Sequence, residues 1–179
     1  MTEPRMTQAL DAIRRIISVL RRSSRLAESE VGIGGAQLFV LQQLATAPAR
    51  SINELAERTY THQSSVSVVV RRLVKQGLVE RRPAPDDRRR RELRLTRAGQ
   101  RLAGRAPVPA QTHLINGLRA LSLSQLRTLG RLLDRVVRRM GAAGEPPAML
   151  FTEMPTPRRA GGSAKAAKRG HRHKRTRKR

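Results

Sequence analysis

"SINELAERTYTHQSSVSVVVRRLVKQGLVERRPAPDDRRRRELRLTRAG", residues 51–99, decides the fold, because its hydrophobic period changes partway along. Ser51-Ile52-Asn53-Glu54 has the S-x-x-E form in which the serine caps the N3 amide and the glutamate reaches back. It opens a short helix with Ile52 and Leu55 turned inward. Thr61-His62 interrupts the run, and Val66, Val69, Val70 and Leu73 then recur at three- and four-residue spacing as the buried side of a second helix. Gly77 ends that helix as a left-handed C-cap. Two short helices across a tight turn predict a helix-turn-helix. The pattern then changes toward alternation: Val79 to Arg82 and Glu92 to Thr96 read as two strands. Pro83-Ala84-Pro85-Asp86-Asp87 supplies turn chemistry between them, and Arg88, Arg89, Arg90 and Arg91 follow directly. The hairpin is a wing with cations near its tip.

Helices flank this unit. Leu10, Ile13, Ile16, Ile17 and Leu20 define one apolar stripe over roughly 5–28. After Gly32-Ile33-Gly34-Gly35, Leu38, Leu41, Leu44 and Ala45 repeat the pattern until Pro48 stops it. Beyond the wing, Thr96 caps a fifth helix, which Pro107 and Pro109 kink or split before Leu114, Ile115, Leu118 and Leu121 resume the apolar face. Ser124 is read as the cap of a sixth helix, whose Leu126, Leu129, Leu132, Leu133, Val136, Val137 and Met140 form a stripe broad enough to need a partner helix. The fold class is therefore mainly α with a small β component (α+β).

Charge divides the chain at Gly141. Residues 1–141 hold 27 basic and 11 acidic side chains, a net of +16, and the remainder holds 11 and 2, a net of +9. From Ala142 the apolar periodicity stops, and prolines and paired glycines lead into "KAAKRGHRHKRTRKR" (165–179). That composition predicts a globular domain over 5–141 and a disordered basic tail over 142–179. Within the tail, Met149-Leu150-Phe151 is a lone apolar patch of the kind that is more often incidental than functional.

A total of +25 implies an anionic partner. Only three aromatics occur, Phe39, Tyr60 and Phe151, which disfavours single-strand binding by base stacking and leaves duplex DNA as the leading candidate. No cysteine occurs, so disulfides, cysteine-ligated zinc and cysteine nucleophiles are excluded together. The longest apolar runs, such as Val68-Val69-Val70, fall far short of the roughly 20 residues that span a bilayer. The expectation is a cytoplasmic, nucleoid-associated chain with no membrane partner. Asp86, Asp87 and Glu92 are poor magnesium ligands beside four arginines, and no phosphate loop or nucleophile accompanies them. His62 and His113 stand apart in sequence, and His171 and His173 sit among tail cations, so neither an enzyme nor a metal site is expected.

The second short helix places Ser64, Ser67, Val68, Arg71 and Lys75 opposite its buried valines, with Gln63 at its start. Short polar side chains there let the helix end approach base edges and phosphates, which its dipole and free amides favour. Gln63 is a candidate for adenine, Arg71 for guanine or phosphate, and Val68 for a thymine methyl. Four adjacent arginines repel one another unless an anion neutralises them, and a guanidinium suits the narrow minor groove, so Arg88 to Arg91 are candidate wing contacts. A carboxylate in such a loop repels phosphate, which suggests that Asp87 pairs with Arg89 and sets its direction. In the tail, Lys165, Lys168, Arg169, Arg172, Lys174, Arg175, Arg177, Lys178 and Arg179 are candidates for non-specific DNA attraction. Arg14, Arg15, Arg21, Arg22 and Arg25 of the first helix read as an exposed face, or less readily as the lining of an anion pocket.

Taken together, "ELA", "SSVS", "RLVKQGLVERR", "DDRR" and "LTRAG" make residues 51–99 resemble the core of the MarR family of bacterial winged-helix regulators. With the order of the flanking helices the resemblance covers roughly 5–141. It implies a homodimer built from the N- and C-terminal helices, each protomer offering a winged helix to half of a pseudo-palindromic operator and regulating by occlusion. It maps the recognition helix onto His62 to Lys75, bringing His62 and Ser65 into the candidate set, and gives Asp87 and Arg89 the wing's supporting and minor-groove roles. It also implies a small aromatic or anionic effector that weakens DNA binding, with no cofactor. The competing reading is an architectural, nucleoid-associated protein that binds duplex DNA with little sequence preference, motivated by the basic tail.

Overall fold

The computed structural model describes residues 3–84, 91–144 and 149–150, with Arg91 described in its backbone alone. Among the described residues, seven helices and a two-stranded antiparallel sheet follow in the order α1 (Glu3–Val31), α2 (Gly35–Thr46), α3 (Ile52–Arg58), α4 (Gln63–Lys75), β1 (Val79–Pro83), β2 (Arg91–Leu95), α5 (Arg97–Arg105), α6 (Ala110–Arg119) and α7 (Leu123–Arg139). The strands pair from Val79 opposite Leu95 to Pro83 opposite Arg91. Ala49 adds a short bridge to Leu93, with N–O distances of 3.0 and 2.7 Å. That pairing escapes sequence reading, because a single residue between Pro48 and the α3 cap shows no strand period.

The core centres on α2, in which every residue from Gly35 to Leu41 is buried, together with Leu44. Ala27 and Val31 of α1, Leu55 of α3, Val66, Val69, Val70 and Leu73 of α4, Val79, Leu93 and Leu95 of the wing, and Leu102 of α5 close around it. The helix-turn-helix is thus packed as the spacing predicts, with the α4 valines inward. Ser51 Oγ accepts from Glu54 N at 3.1 Å, and Glu54 Oε2 accepts from Arg50 N at 2.8 Å, so both parts of this cap form, the second one residue before the serine. Gly77 takes a left-handed φ of 69°, which lets Leu78 N donate to Leu73 O at 2.9 Å and turn the chain into β1.

On the C-terminal side one expectation holds and two change. The split at Pro107 and Pro109 yields separate helices α5 and α6, and the last helix is capped by Ser122 in place of Ser124. Ser122 Oγ accepts from Gln125 N at 3.3 Å while Gln125 Oε1 accepts from Ser122 N at 2.8 Å. That reciprocal box starts the helix at Leu123 and leaves Ser124 inside its first turn, bonded to Ser122 Oγ at 3.0 Å. The stretch after Gly141, read from the sequence as a disordered tail with an incidental apolar patch, places Met149 in the core at 5% exposure. A flexible thioether chain suits an irregular gap of this kind. The remaining residues beyond Gly144 lie outside the described residues, apart from Leu150.

Thr96 ties the end of α4 to the start of α5. Its Oγ1 donates to Gly77 O at 2.7 Å and accepts from Gly99 N at 3.1 Å. The approach is so close that a Cβ on Gly99 would lie 2.1 Å from Leu78 O. Gly99→Ala therefore forces the backbone apart at the base of the wing and is expected to lower stability by about 2 kcal/mol. Chemical denaturation checks this, and an unchanged midpoint would show that the α5 start can slide away from Leu78.

Candidate nucleic-acid interface

α4 is positioned on three sides. Its buried valines face α2 and α3, its C-cap residue Gln76 accepts a 2.8 Å bond from Gln37 Nε2 of α2, and its exit is fixed by Gly77 and Thr96. What remains outward is its candidate reading face. His62 is the N-cap residue but makes no side-chain cap bond, so the imidazole is exposed and uncommitted to the helix end. Gln63, Ser64, Arg71 and Lys75 are exposed, Val68 is 36% exposed, and Ser65 and Ser67 are half-buried toward the helix flanks. The eight recognition-helix residues singled out by the sequence thus all belong to the α4 segment and its cap. No acidic residue lies in the first turn of α4, so the positive end of the helix dipole is left for an external anion.

The wing adjoins this helix through Leu78. Burial falls off along β1 from the buried Val79, leaving Arg81 and Arg82 exposed toward the end of the strand. Arg82 Nε pairs with Glu80 Oε1 at 2.8 Å, and Arg94 pairs with Glu92, whose carboxylate side chain is only 10% exposed. These pairs hold two guanidiniums on the wing. Behind them opens a hollow of about 900 Å³ lined by Glu80, Arg82, Arg94, Arg97, Gln100 and the C-terminal end of α2. Asp87, Arg88, Arg89 and Arg90 lie outside the described residues, as do the side chain of Arg91 and the nine tail cations. No group of three or more metal-ligating side chains occurs among the described residues. His113 is exposed on α6, and Arg14 of α1 pairs with Asp11 at 2.9 Å on the surface.

Periodicity missed the ties that hold the helix-turn-helix. Arg58, half-buried at the end of α3, donates to Ala47 O at 2.8 Å, to Pro48 O at 3.1 Å and to Gln43 O, satisfying carbonyls that the C-terminus of α2 leaves open. Tyr60, in the turn before α4, adopts a left-handed φ of 52°. Its hydroxyl accepts a 2.9 Å bond from Arg119 Nη2 of α6, and the guanidinium carbon lies 5.6 Å from the ring centroid. Fifty-nine residues separate that pair, so no local signal reveals it.

A buried helical pair, an outward second helix and a hairpin with exposed arginines define a winged helix-turn-helix. Residues 31–90 match the MarR family, so over that segment the chain is similar to a family of winged-helix transcriptional regulators. Its fold is similar to that of a MarR/EmrR family transcriptional regulator from an Acinetobacter species, at 19% identity and a TM-score of 0.50, with 79% of this chain and 98% of that one covered. A probable transcriptional regulator from Pseudomonas aeruginosa is 29% identical over 73% of this chain and 98% of its own, with a TM-score of 0.46. The reduced form of MarR from Escherichia coli is 28% identical over 69% and 94%, with a TM-score of 0.43. No curated protein matches the chain. No helix of the described residues is long and apolar enough to cross a membrane.

Arg71 and Lys75 are exposed and carry no part of the core. Replacing either with alanine is expected to leave unfolding free energy within about 0.5 kcal/mol of the unaltered chain. A larger loss in thermal unfolding would mean that these side chains support α4 instead of facing a ligand.

Proposed function

We propose that this protein is a homodimeric regulator that binds a pseudo-palindromic operator in duplex DNA and represses by occlusion. The observation that carries the reading is α4. One side is locked into the core by Val66, Val69, Val70 and Leu73, and the other presents Gln63, Ser64, Val68, Arg71 and Lys75 beside a basic hairpin. A helix braced in this way fits a major groove and offers groups that discriminate base edges. From the sequence, Arg88 to Arg91 are the wing contacts, Arg89 is the minor-groove reader and Asp87 is its support.

Dimerisation is supported by two long helices that lack a cover. α7 has no buried residue, and Leu126, Leu132, Leu133, Val136 and Val137 stand exposed along one stripe. Leu10, Ile13, Ile16 and Ile17 of α1 are exposed in the same manner. A second copy would cover both, and it would set half-sites about one helical turn apart. The folded unit takes in 5–141 together with Met149 and Leu150, and the segment carrying Lys165 to Arg179 adds background attraction to phosphate. The Acinetobacter relative supports an appended segment, since 98% of that chain is covered by 79% of this one. Release by a small aromatic or anionic effector belongs to the same reading, as does a cytoplasmic setting on the nucleoid.

The net charge of +25 favours a second reading, a largely non-specific architectural DNA binder. Titration against the duplex upstream of its own gene and a scrambled duplex, at two salt concentrations, separates the two. Preference for the upstream duplex that persists at higher salt is expected of the regulator, whereas equal and steeply salt-dependent binding to both would replace it with the architectural role. In the same assay Arg89→Ala is expected to weaken operator binding by about 1 to 3 kcal/mol. Asp87→Ala should weaken it too, although it removes a negative charge, and tighter binding would show that the pair with Arg89 does not form.

A further inference from the structure

We infer that Met149 and Leu150 form an intramolecular strap, docked in the groove between α6 and the helix-turn-helix turn, that restrains the turn from which the recognition helix starts. The effect on DNA affinity rests on the DNA-binding reading above; the restraint itself does not.

The groove is a cavity of about 330 Å³ bounded by Phe39 of α2, by Thr59 to His62 of the turn, and by Leu114, Ile115 and Leu118 of α6. Met149 and Leu150 complete its wall. Met149 is 5% exposed and belongs to the main core, and the carbonyl of Leu150 accepts a 3.4 Å bond from Gln111 Nε2 of α6. Gln111 is itself buried, so its amide has been withdrawn from water to make this contact. Met149, ten residues after the end of α7 at Arg139, thus lies against α6 and the turn.

The turn on the other side of the groove needs restraint. Tyr60 sits at φ 52°, a conformation that residues with a side chain rarely hold without support from their surroundings. Thr59 Oγ1 closes onto Leu55 O at 2.8 Å from within, and Arg119 of α6 closes onto the Tyr60 hydroxyl from without. Met149 lines the same cavity as Thr59 and Tyr60. His62, the N-cap of α4, lines the same cavity, so a change at the strap reaches the start of the recognition helix through one side chain. Loosening this turn adds freedom that DNA binding must remove, and affinity should fall accordingly.

Full-length Met149→Ala, Met149→Glu and Met149→Leu proteins test the strap by hydrogen exchange. The amides of Thr59, Tyr60, Thr61 and Val66 all donate within the turn, to Leu55, Glu57, Ala56 and His62, so their exchange reports its opening. Met149→Ala should speed exchange at residues 59–66 roughly tenfold while α2 amides keep their protection, and Met149→Leu should restore it. The chain has one tyrosine and no tryptophan, so ultraviolet-excited emission comes from Tyr60 alone and should change in parallel. If Met149→Glu loosens α2 as well, Met149→Ala decides, since it removes contacts without burying a charge. Unchanged exchange at 59–66 in Met149→Ala overturns the strap. On the upstream duplex the same variant should bind roughly three- to tenfold more weakly. Faster exchange with unchanged affinity overturns the coupling to DNA. Failure of the unaltered chain to bind any duplex counts against the DNA reading, and the exchange result still decides the strap.

Discussion

Burial of α2 on all sides is the constraint from which the arrangement follows. A helix with no solvent stripe from Gly35 to Leu41 must be enclosed by its neighbours, so α1, α3, α4, the wing and α5 are each placed by the side of α2 they cover. Polar ties then set the angles. Ser24 Oγ of α1 receives Gly35 N at 3.1 Å at one end, Gln37 reaches the α4 cap in the middle, and Arg58 closes the far end. Burial gives the driving force, and these bonds select one packing among the several that an apolar rod would allow.

Much of this was legible in the sequence wherever a pattern is local. The α4 valines, the Gly77 cap, the Ser51 cap and the two strands all follow from spacing within a dozen residues, and each takes its expected place. The break at Pro107 and Pro109 was equally readable, since a ring that removes an amide donor leaves few outcomes. Ser122 was misjudged because Ser122 and Ser124 both satisfy a serine cap, and only Gln125 three residues after Ser122 decides between them. Ala49, Met149 and the Tyr60 to Arg119 pair were invisible for a different reason. Their partners lie 44, 31 to 110 and 59 residues away in sequence, where periodicity carries no information.

The candidate interface shows the same division. Which residues of α4 face outward is fixed by helical geometry once the valines are known to be buried, so Gln63, Ser64, Val68, Arg71 and Lys75 could be named before any coordinates. How firmly that face is held could not. Its rigidity comes from Gln37, Thr96 and the α6 contacts with the turn, which belong to other elements. The residues that would meet a ligand and the residues that steady them were therefore accessible to different kinds of reasoning.

Arg58 carries one more implication. Its partners at the end of α2 are backbone carbonyls, which carry no net charge. Concentrated salt, which displaces a polycation from a polyanion, can screen the 3.7 Å pair of Arg58 with Glu54 but has little hold on the bonds of this half-buried group to neutral carbonyl oxygens. The joint between α2 and the helix-turn-helix should therefore survive a high-salt wash, so the protein can be freed of adhering nucleic acid during purification with this corner of its fold intact.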